Sequence, residues 1–325
     1  MRIAFIGTGW VTGMHLAALA KLEDVQVAGI AGRNQERLKA LCPPGGPKPY
    51  ESYLAMLKQE KPDGVFLTLP PHLHGEVEEA LADHVAAVLV EKPLANSLEP
   101  AQRAQAAFQR AGTLVSVAYQ NRYRLGAQKA RELFARSTDK PISVNGWWLG
   151  EMPGPAWWRN KQQSGGQFVE QCTHIVDLAR FLAGEISEVQ AFGAPGQGTD
   201  PAITVEDAIT VNARFASGAI GNFTTGCFSS TESAKPGIGL VVASRSALVR
   251  FSGWGFQTTV QEGAHTETFD VEPDIFEVQA RAFVAALRTG DRSGILCDYA
   301  DGLASLKVGL AANQSMDERR SITVG

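Results

Sequence analysis

Over the first 118 residues, apolar positions fall in short blocks separated by stretches of helical periodicity. Residues 2–6 (Arg-Ile-Ala-Phe-Ile), 25–31, 64–69, 86–90 and 114–118 are compact, largely apolar runs of strand length, as expected of strands buried on both faces. The intervening stretches 13–22, 34–41, 52–58, 73–83 and 98–111 read as helices, with Asn34 placed to cap the second. Residues 43–49, rich in Pro and Gly, read as a loop. Strand alternating with helix predicts right-handed crossovers and a mainly parallel sheet.

From about residue 119 the pattern changes. Residues 144–149, 187–193, 204–215, 219–228, 238–251 and 256–269 read as strands, several back to back with turn signals such as Ser217-Gly218. That is the mark of antiparallel pairing. Helices are predicted near 123–136, 168–183, 274–289 and 298–315. The expected fold is an α/β Rossmann domain with a doubly wound parallel sheet over residues 1–118. An α+β domain with an open, largely antiparallel sheet follows over 119–325, its final helix able to pack back on the first domain. An open sheet face needs cover, so association as a homodimer or homotetramer through that sheet is expected.

Composition narrows the function classes. The chain has 325 residues, 44% of them apolar and 20% charged, with a net charge of −4. No basic run exceeds Arg319-Arg320, so bulk charge does not argue for a nucleic-acid or anionic-membrane partner. No apolar stretch reaches the roughly 18 residues of a membrane span, and the N-terminus carries no signal-like h-region; a cytoplasmic location is expected. Cys42, Cys172, Cys227 and Cys297 form no Cys-x-x-Cys pair. His72 and His74 lie two apart with no third ligand in sight, so no metal site is expected.

Chemistry first shows where the first strand passes into the first helix, at Gly7-Thr8-Gly9-Trp10-Val11-Thr12-Gly13. A dinucleotide site needs glycine there, both for the tight turn and for close approach of backbone to pyrophosphate, which the helix N-terminus then holds. Thr12 stands where the third glycine of G-x-G-x-x-G would be, and Gly13 follows. A lone G-x-G is also an ordinary tight turn, but at the head of a βαβ unit it points to Gly7, Thr8, Gly9, Trp10 and Val11 as cofactor contacts. The second strand ends in Ala31-Gly32-Arg33-Asn34, without the carboxylate that would hold a ribose 2′-hydroxyl. Arginine suits a 2′-phosphate, so NADP is favoured over NAD; stacking on adenine or a solvated position is the alternative for Arg33. Trp158 and Arg159, after Trp157, form an aromatic–guanidinium group that could line a carbohydrate pocket or pack in the interior.

Three further motifs complete the pattern: Leu69-Pro70-Pro71-His72-Leu73-His74, Glu91-Lys92-Pro93, and Gly165-Gly166-Gln167-Phe168-Val169-Glu170-Gln171-Cys172-Thr173-His174-Ile175-Val176-Asp177. With Gly7-Thr8-Gly9, His15 and the stretch 298–302, the chain resembles the Gfo/Idh/MocA oxidoreductases over nearly its whole length. The resemblance implies hydride transfer between a nicotinamide cofactor and a secondary alcohol or ketone of a sugar, polyol or cyclitol. It makes Lys92 the residue at the reacting oxygen and His174 the proton carrier. Glu170 stands where the family usually has aspartate, and the resemblance makes it the third catalytic residue, orienting the pair. The resemblance also implies cofactor contacts at Leu69, Pro70, His74, Glu91 and Lys92, with His74 holding the helix start beside the cofactor and Glu91 alternatively a partner of Lys92, and substrate contacts at Lys92, Tyr119, Arg122 and His174. Two alternatives on the same scaffold are an NAD-dependent glycosidase and a non-catalytic dinucleotide sensor. Physical reasoning supports the two leading residues. Lys92 lies at the carboxyl end of a parallel strand, where ligands bind in open α/β sheets, and its ammonium can stabilise alkoxide character. His174 follows Glu170 by four residues, which on one continuous helix puts both on one face.

Overall fold

The computed structural model describes residues 1–136, 138–196, 200–228, 237–271 and 273–325. The chain divides into two compact units. One comprises Met1–Ala95, Glu99–Gln120 and Pro273–Leu303; the other comprises Asn96–Leu98, Asn121–Glu272 and Ala304–Gly325.

The first unit is built from β1 (Arg2–Ile6), α1 (Trp10–Leu19), β2 (Gln26–Ala31), α2 (Gln35–Leu41), β3 (Lys48–Tyr50), α3 (Tyr53–Glu60), β4 (Gly64–Leu67), α4 (Glu76–Ala82), β5 (Ala87–Val90), α5 (Leu98–Ala111) and β6 (Leu114–Val117). All six strands run parallel, in the order β3-β2-β1-β4-β5-β6. This is the doubly wound Rossmann order, and β4, β5 and β6 are buried at every residue. Two details differ from the sequence reading. α1 starts at Trp10 rather than near 13, because Gly9 is already the extended N-cap, while the first turn holds an exposed Trp10 and buries a polar Thr12, a pattern that apolar periodicity does not register. Within the expected loop, Lys48–Tyr50 adds an edge strand to β2, a place where Pro49 does no harm. Asn34 caps α2 as expected, accepting from Arg37 N.

The second unit contains α6 (Leu125–Arg136), β7 (Ser143–Leu149), α7 (Ala156–Arg159), α8 (Lys161–Ser164), α9 (Gln167–Glu170), α10 (Thr173–Ala183), β8 (Ile186–Ala194), β9 (Ala208–Phe215), β10 (Ile220–Gly226), β11 (Gly237–Ala243), β12 (Ala247–Ser252), β13 (Gln257–Glu262) and β14 (His265–Phe269). The chain closes with α11 (Ile275–Thr289), α12 (Tyr299–Glu318) and β15 (Ile322–Thr323). Among the described residues the sheet has nine strands, in the order β14-β13-β12-β11-β7-β10-β9-β8-β15. Every pairing is antiparallel except β7 with β10.

Two expected strands are hairpins. The run 238–251 folds back at Ser244–Ser246, where the Asp139 carboxylate accepts from Ser246 N at 2.7 Å and Ser244 Oγ at 2.8 Å. The run 256–269 folds back at Gly263. Alternation of apolar and polar residues continues through both turns, so periodicity alone merges the strands. The expected helix 168–183 is also two helices, α9 and α10, interrupted at Gln171-Cys172.

The sequence reading draws one boundary after residue 118, but the chain returns to the first unit. α11 buries Ala280, Phe283, Val284 and Ala286 in the same core cluster as Ile3, Phe5, Phe66 and Leu89. Its amphipathic spacing is legible, but spacing does not say which sheet receives the apolar face.

Candidate active site

The turn after β1 requires its first glycine. Gly7 has φ +122°, and a Cβ there would lie 2.2 Å from the Thr68 carbonyl oxygen, a backbone atom that cannot step aside. Thr12, in the usual third-glycine position, is buried because its hydroxyl completes the same corner: Oγ1 donates to the Gly7 carbonyl at 3.2 Å and lies 2.9 Å from Thr68 Oγ1. Gly9 and Gly13 would both have open space around a Cβ. α1 carries no side-chain cap, so its first N–H groups are available to an anion. Gly7→Ala is therefore expected to cost roughly 1–3 kcal/mol from backbone strain alone, and more from the clash. Gly13→Ala, in a helix with open space, should stabilise by about 0.5–1 kcal/mol. Thermal unfolding of the two variants checks the opposite signs.

Trp10 is 78% exposed at the start of α1. Arg33 is exposed just beyond β2. It follows Gly32, where a Cβ would come within 2.4 Å of the Thr8 methyl. These residues lie with Gly9 at the carboxyl ends of β1 and β2, where an open α/β sheet takes its ligand.

Glu91, at the end of β5, is buried and braced. Oε1 accepts from His15 Nε2 at 2.8 Å, and Oε2 accepts from Lys92 N at 3.2 Å. His15 comes from α1 and is fully enclosed, edge-on against Phe66 and Phe276. One carboxylate thus joins α1 to the Lys92 turn, and Glu91 is a support for Lys92. His74 also acts inside the protein. Its Nδ1 is 2.5 Å from Glu78 Oε1, its Nε2 is 3.0 Å from the Leu69 carbonyl, and Glu78 Oε2 accepts from Gly75 N at 2.7 Å. Burial opposes charge on this ring, but the Glu78 carboxylate and the Leu69 carbonyl outweigh it and hold the imidazole above the usual histidine range. His74 thus holds the start of α4, as expected, but both ring nitrogens face protein acceptors and not a cofactor, and the side chain fixes the turn that carries Leu69 and Pro70.

In the second unit, His174 lies in the first turn of α10, mostly buried, with its ring stacked on Trp148 from β7 at 5.7 Å and 24°. Glu170 is not on the same helix, because α9 ends there. Its Oε2 accepts the indole N–H of Trp158. The expected common face of Glu170 and His174 is thus replaced by two short helices with a break between them. Trp158 is itself buried, in a cluster with Val205 and Cys227, so the carbohydrate-stacking role expected of it does not hold. Arg159 donates from Nε to the Pro153 carbonyl at 2.8 Å, which ties down its own loop.

Arg122 is corrected as well. It is 2% exposed and pairs bidentately with Asp177, Nε to Oδ2 at 2.8 Å and Nη2 to Oδ1 at 2.7 Å, with its guanidinium 5.1 Å from the Phe181 ring centre. A substrate contact is replaced by a buried ion pair that anchors α10. Tyr119 is likewise enclosed, at 1% exposure. Cys172 is fully buried, and burial pushes its thiol well above the ordinary range, the behaviour of a packing residue. The sequence reading missed Trp148. Its strand was predicted, but nothing in the spacing marks the inward tryptophan of Trp147-Trp148 as the one beside His174.

Residues 1–119 match the family model described as oxidoreductase family, NAD-binding Rossmann fold, and residues 128–243 match the model of the GFO/IDH/MocA C-terminal domain. The chain belongs to the Gfo/Idh/MocA oxidoreductases. Among its relatives, the myo-inositol 2-dehydrogenase of Thermotoga maritima is 25% identical over 99% of this chain and 98% of its own length. The D-xylose 1-dehydrogenase (NADP(+)) 2 of Haloferax volcanii is 27% identical over 59% of this chain and 60% of its own. The fold of this Gfo/Idh/MocA member matches that of the WlbA dehydrogenase of Bordetella pertussis, solved with NADH and UDP-GlcNAcA. The TM-score is 0.86 at 22% identity, over 100% of this chain and 98% of that one. Among the described residues no three His, Cys, Asp or Glu side chains are grouped to hold a metal ion, and no helix is long and apolar enough to cross a membrane.

Proposed function

We propose that the protein is an NAD(P)-dependent dehydrogenase or reductase acting on a secondary alcohol or ketone of a sugar, polyol or cyclitol. The observation that carries this reading is the support of Lys92: it follows β5 at the ligand-binding edge of the sheet, with its turn joined through Glu91 to His15 of the phosphate-binding helix. When bound, the nicotinamide supplies a hydride acceptor or donor. Lys92 hydrogen-bonds the reacting oxygen and stabilises the negative charge that develops on it. His174 exchanges the proton, a task that suits imidazole near neutral pH. Glu170, the third residue of the expected catalytic set, orients the reacting pair, and its carboxylate is held by the Trp158 indole N–H. Family members whose names state sugar or cyclitol substrates support the substrate class.

NADP is the favoured cofactor. The support is Arg33, exposed at the end of β2 with no acidic residue in Ala31-Gly32-Arg33-Asn34. Titration with NADPH and NADH, followed by quenching of tryptophan fluorescence, should show NADPH binding at least about tenfold tighter, or roughly 1.4 kcal/mol. Arg33→Ala should remove that preference. Equal or tighter binding of NADH by the wild type would overturn the NADP assignment, and binding of neither would overturn the dehydrogenase reading. Assembly as a homodimer or homotetramer through the second unit's sheet, in the cytoplasm, belongs to the same proposal. Its support is the exposure of Phe192 and Ile220, at 63% and 60%, on that sheet.

A further inference from the structure

The second unit holds a set of aromatic side chains that the motif residues do not account for. It begins with Gly146 on β7, where a Cβ would lie 2.4 Å from Ile175 Cγ2. The missing side chain lets α10 approach the strand closely, which sets His174, the neighbour of Ile175, against Trp148, two residues beyond Gly146 on the same face. Trp254 then meets the Trp148 indole edge-on, with centroids 5.6 Å apart and planes at 88°. Phe256 adds a third ring at 6.5 Å from Trp148. Phe256 is buried, whereas Trp254 is 62% exposed.

An exposed tryptophan on a slack loop would mean little. This loop is held. It joins β12 to β13, with Gly253 at φ +69° and Phe256 at φ +51°. A non-glycine residue in that region is strained, and such strain persists only where the surroundings over-determine it. Arg124 supplies the restraint. Its Nη1 donates to the Gly255 carbonyl at 2.6 Å, its Nε donates to Asn121 Oδ1 at 2.9 Å, and its guanidinium lies 5.0 Å from the Phe256 ring centre. Gly253 N also donates to the Ile238 carbonyl at 2.9 Å. Trp254 is therefore an exposed indole on a restrained loop, and its ring partner Trp148 is also the ring partner of His174.

We propose that Trp254, backed by Trp148, is a binding subsite for a carbohydrate or cyclitol ring, which lays its C–H face on the exposed indole. A fixed aromatic plane offers large contact area with little side-chain entropy left to lose. A closed ring presents a flat, preorganised apolar face. An acyclic polyol presents none and loses more rotational freedom on binding, so the subsite selects rings over open chains. The proposal deepens the dehydrogenase reading by naming the substrate shape, but binding at this subsite does not depend on turnover.

The test is calorimetric titration of the protein, held with saturating NADPH so that an alcohol binds without being oxidised, against myo-inositol, D-xylose and methyl β-D-glucopyranoside as ring probes and xylitol and sorbitol as open-chain probes. At least one ring should bind the wild type. Trp254→Ala should weaken that ring about tenfold or more, Trp254→Phe less, and open-chain probes by less than about twofold. Unchanged ring affinity in Trp254→Ala, equal losses for rings and open chains, or no ring binding to the wild type would each overturn the subsite. So would a change of oligomeric state in Trp254→Ala, read by light scattering, without a change in ring affinity; Trp254 would then be a contact between copies. NADPH binding measured in parallel separates the two readings, because its absence in the wild type sinks the dehydrogenase assignment and leaves the ring titration to judge the subsite.

Discussion

Replacing Lys92 with alanine is expected to lower kcat by roughly 10²–10³, the cost of removing one preorganised donor from a developing oxyanion. NADPH affinity should stay within about threefold of wild type, well under the 1.4 kcal/mol of a tenfold change. The two effects separate because the parts are distinct. The proposed phosphate site is the Gly7–Gly9 turn with the uncapped N-terminus of α1. Lys92 contributes an ammonium at the end of β5, and Glu91 and His15 remain in place when it is truncated. Lys92→Arg should recover little, because a planar guanidinium does not substitute for a compact ammonium at a single oxygen. The measurement is steady-state kinetics with the best alcohol from a sugar and polyol panel, beside a NADPH titration of each variant. Wild-type kcat in the alanine variant would remove Lys92 from the chemistry.

The second large effect falls on stability. Asp177→Ala leaves the Arg122 guanidinium, 2% exposed, without the carboxylate that receives two of its N–H groups. Breaking a buried ion pair from one side typically costs about 3–5 kcal/mol. For a unit of this size each kcal/mol shifts Tm by roughly 2–4 °C, so a fall on the order of 10 °C is expected in thermal unfolding. Arg180 is cushioned, since it also pairs with Glu185 at 2.8 Å, and the loss is concentrated on Arg122. Replacing both partners, Arg122→Met with Asp177→Leu, should restore most of the stability, because no uncompensated charge then remains buried. A Tm within about 2 °C of wild type for Asp177→Ala, coupled to a raised KM, would return Arg122 to the substrate site.

The first unit was legible because its signals are local. Gly7-Thr8-Gly9 needs only the turn in which it sits, whereas Lys92, at a strand end where a solvated lysine is commonplace, was singled out by the resemblance carried by the other motifs. Buried parallel strands announce themselves as apolar runs. The second unit was legible as strands and helices but not as a site. Whether Arg122 faces a ligand or Asp177, 55 residues later, depends on how α10 packs. The same holds for the tryptophans: the motif-adjacent Trp158 turns inward onto Glu170, while Trp148 and Trp254, more than a hundred residues apart in sequence, meet beside His174. Long-range pairing of this kind leaves no periodic trace.

The return of the chain to the first unit bears on how the protein is made. The apolar surface around Phe66 is finished by Phe283 of α11, which the ribosome adds only after residues 121–272 of the second unit. At about 5–20 residues per second, the stretch from residue 120 to 289 leaves the nascent Rossmann unit with that surface uncovered for roughly eight to thirty-five seconds. During that interval chaperone capture competes with docking of a helix that does not yet exist.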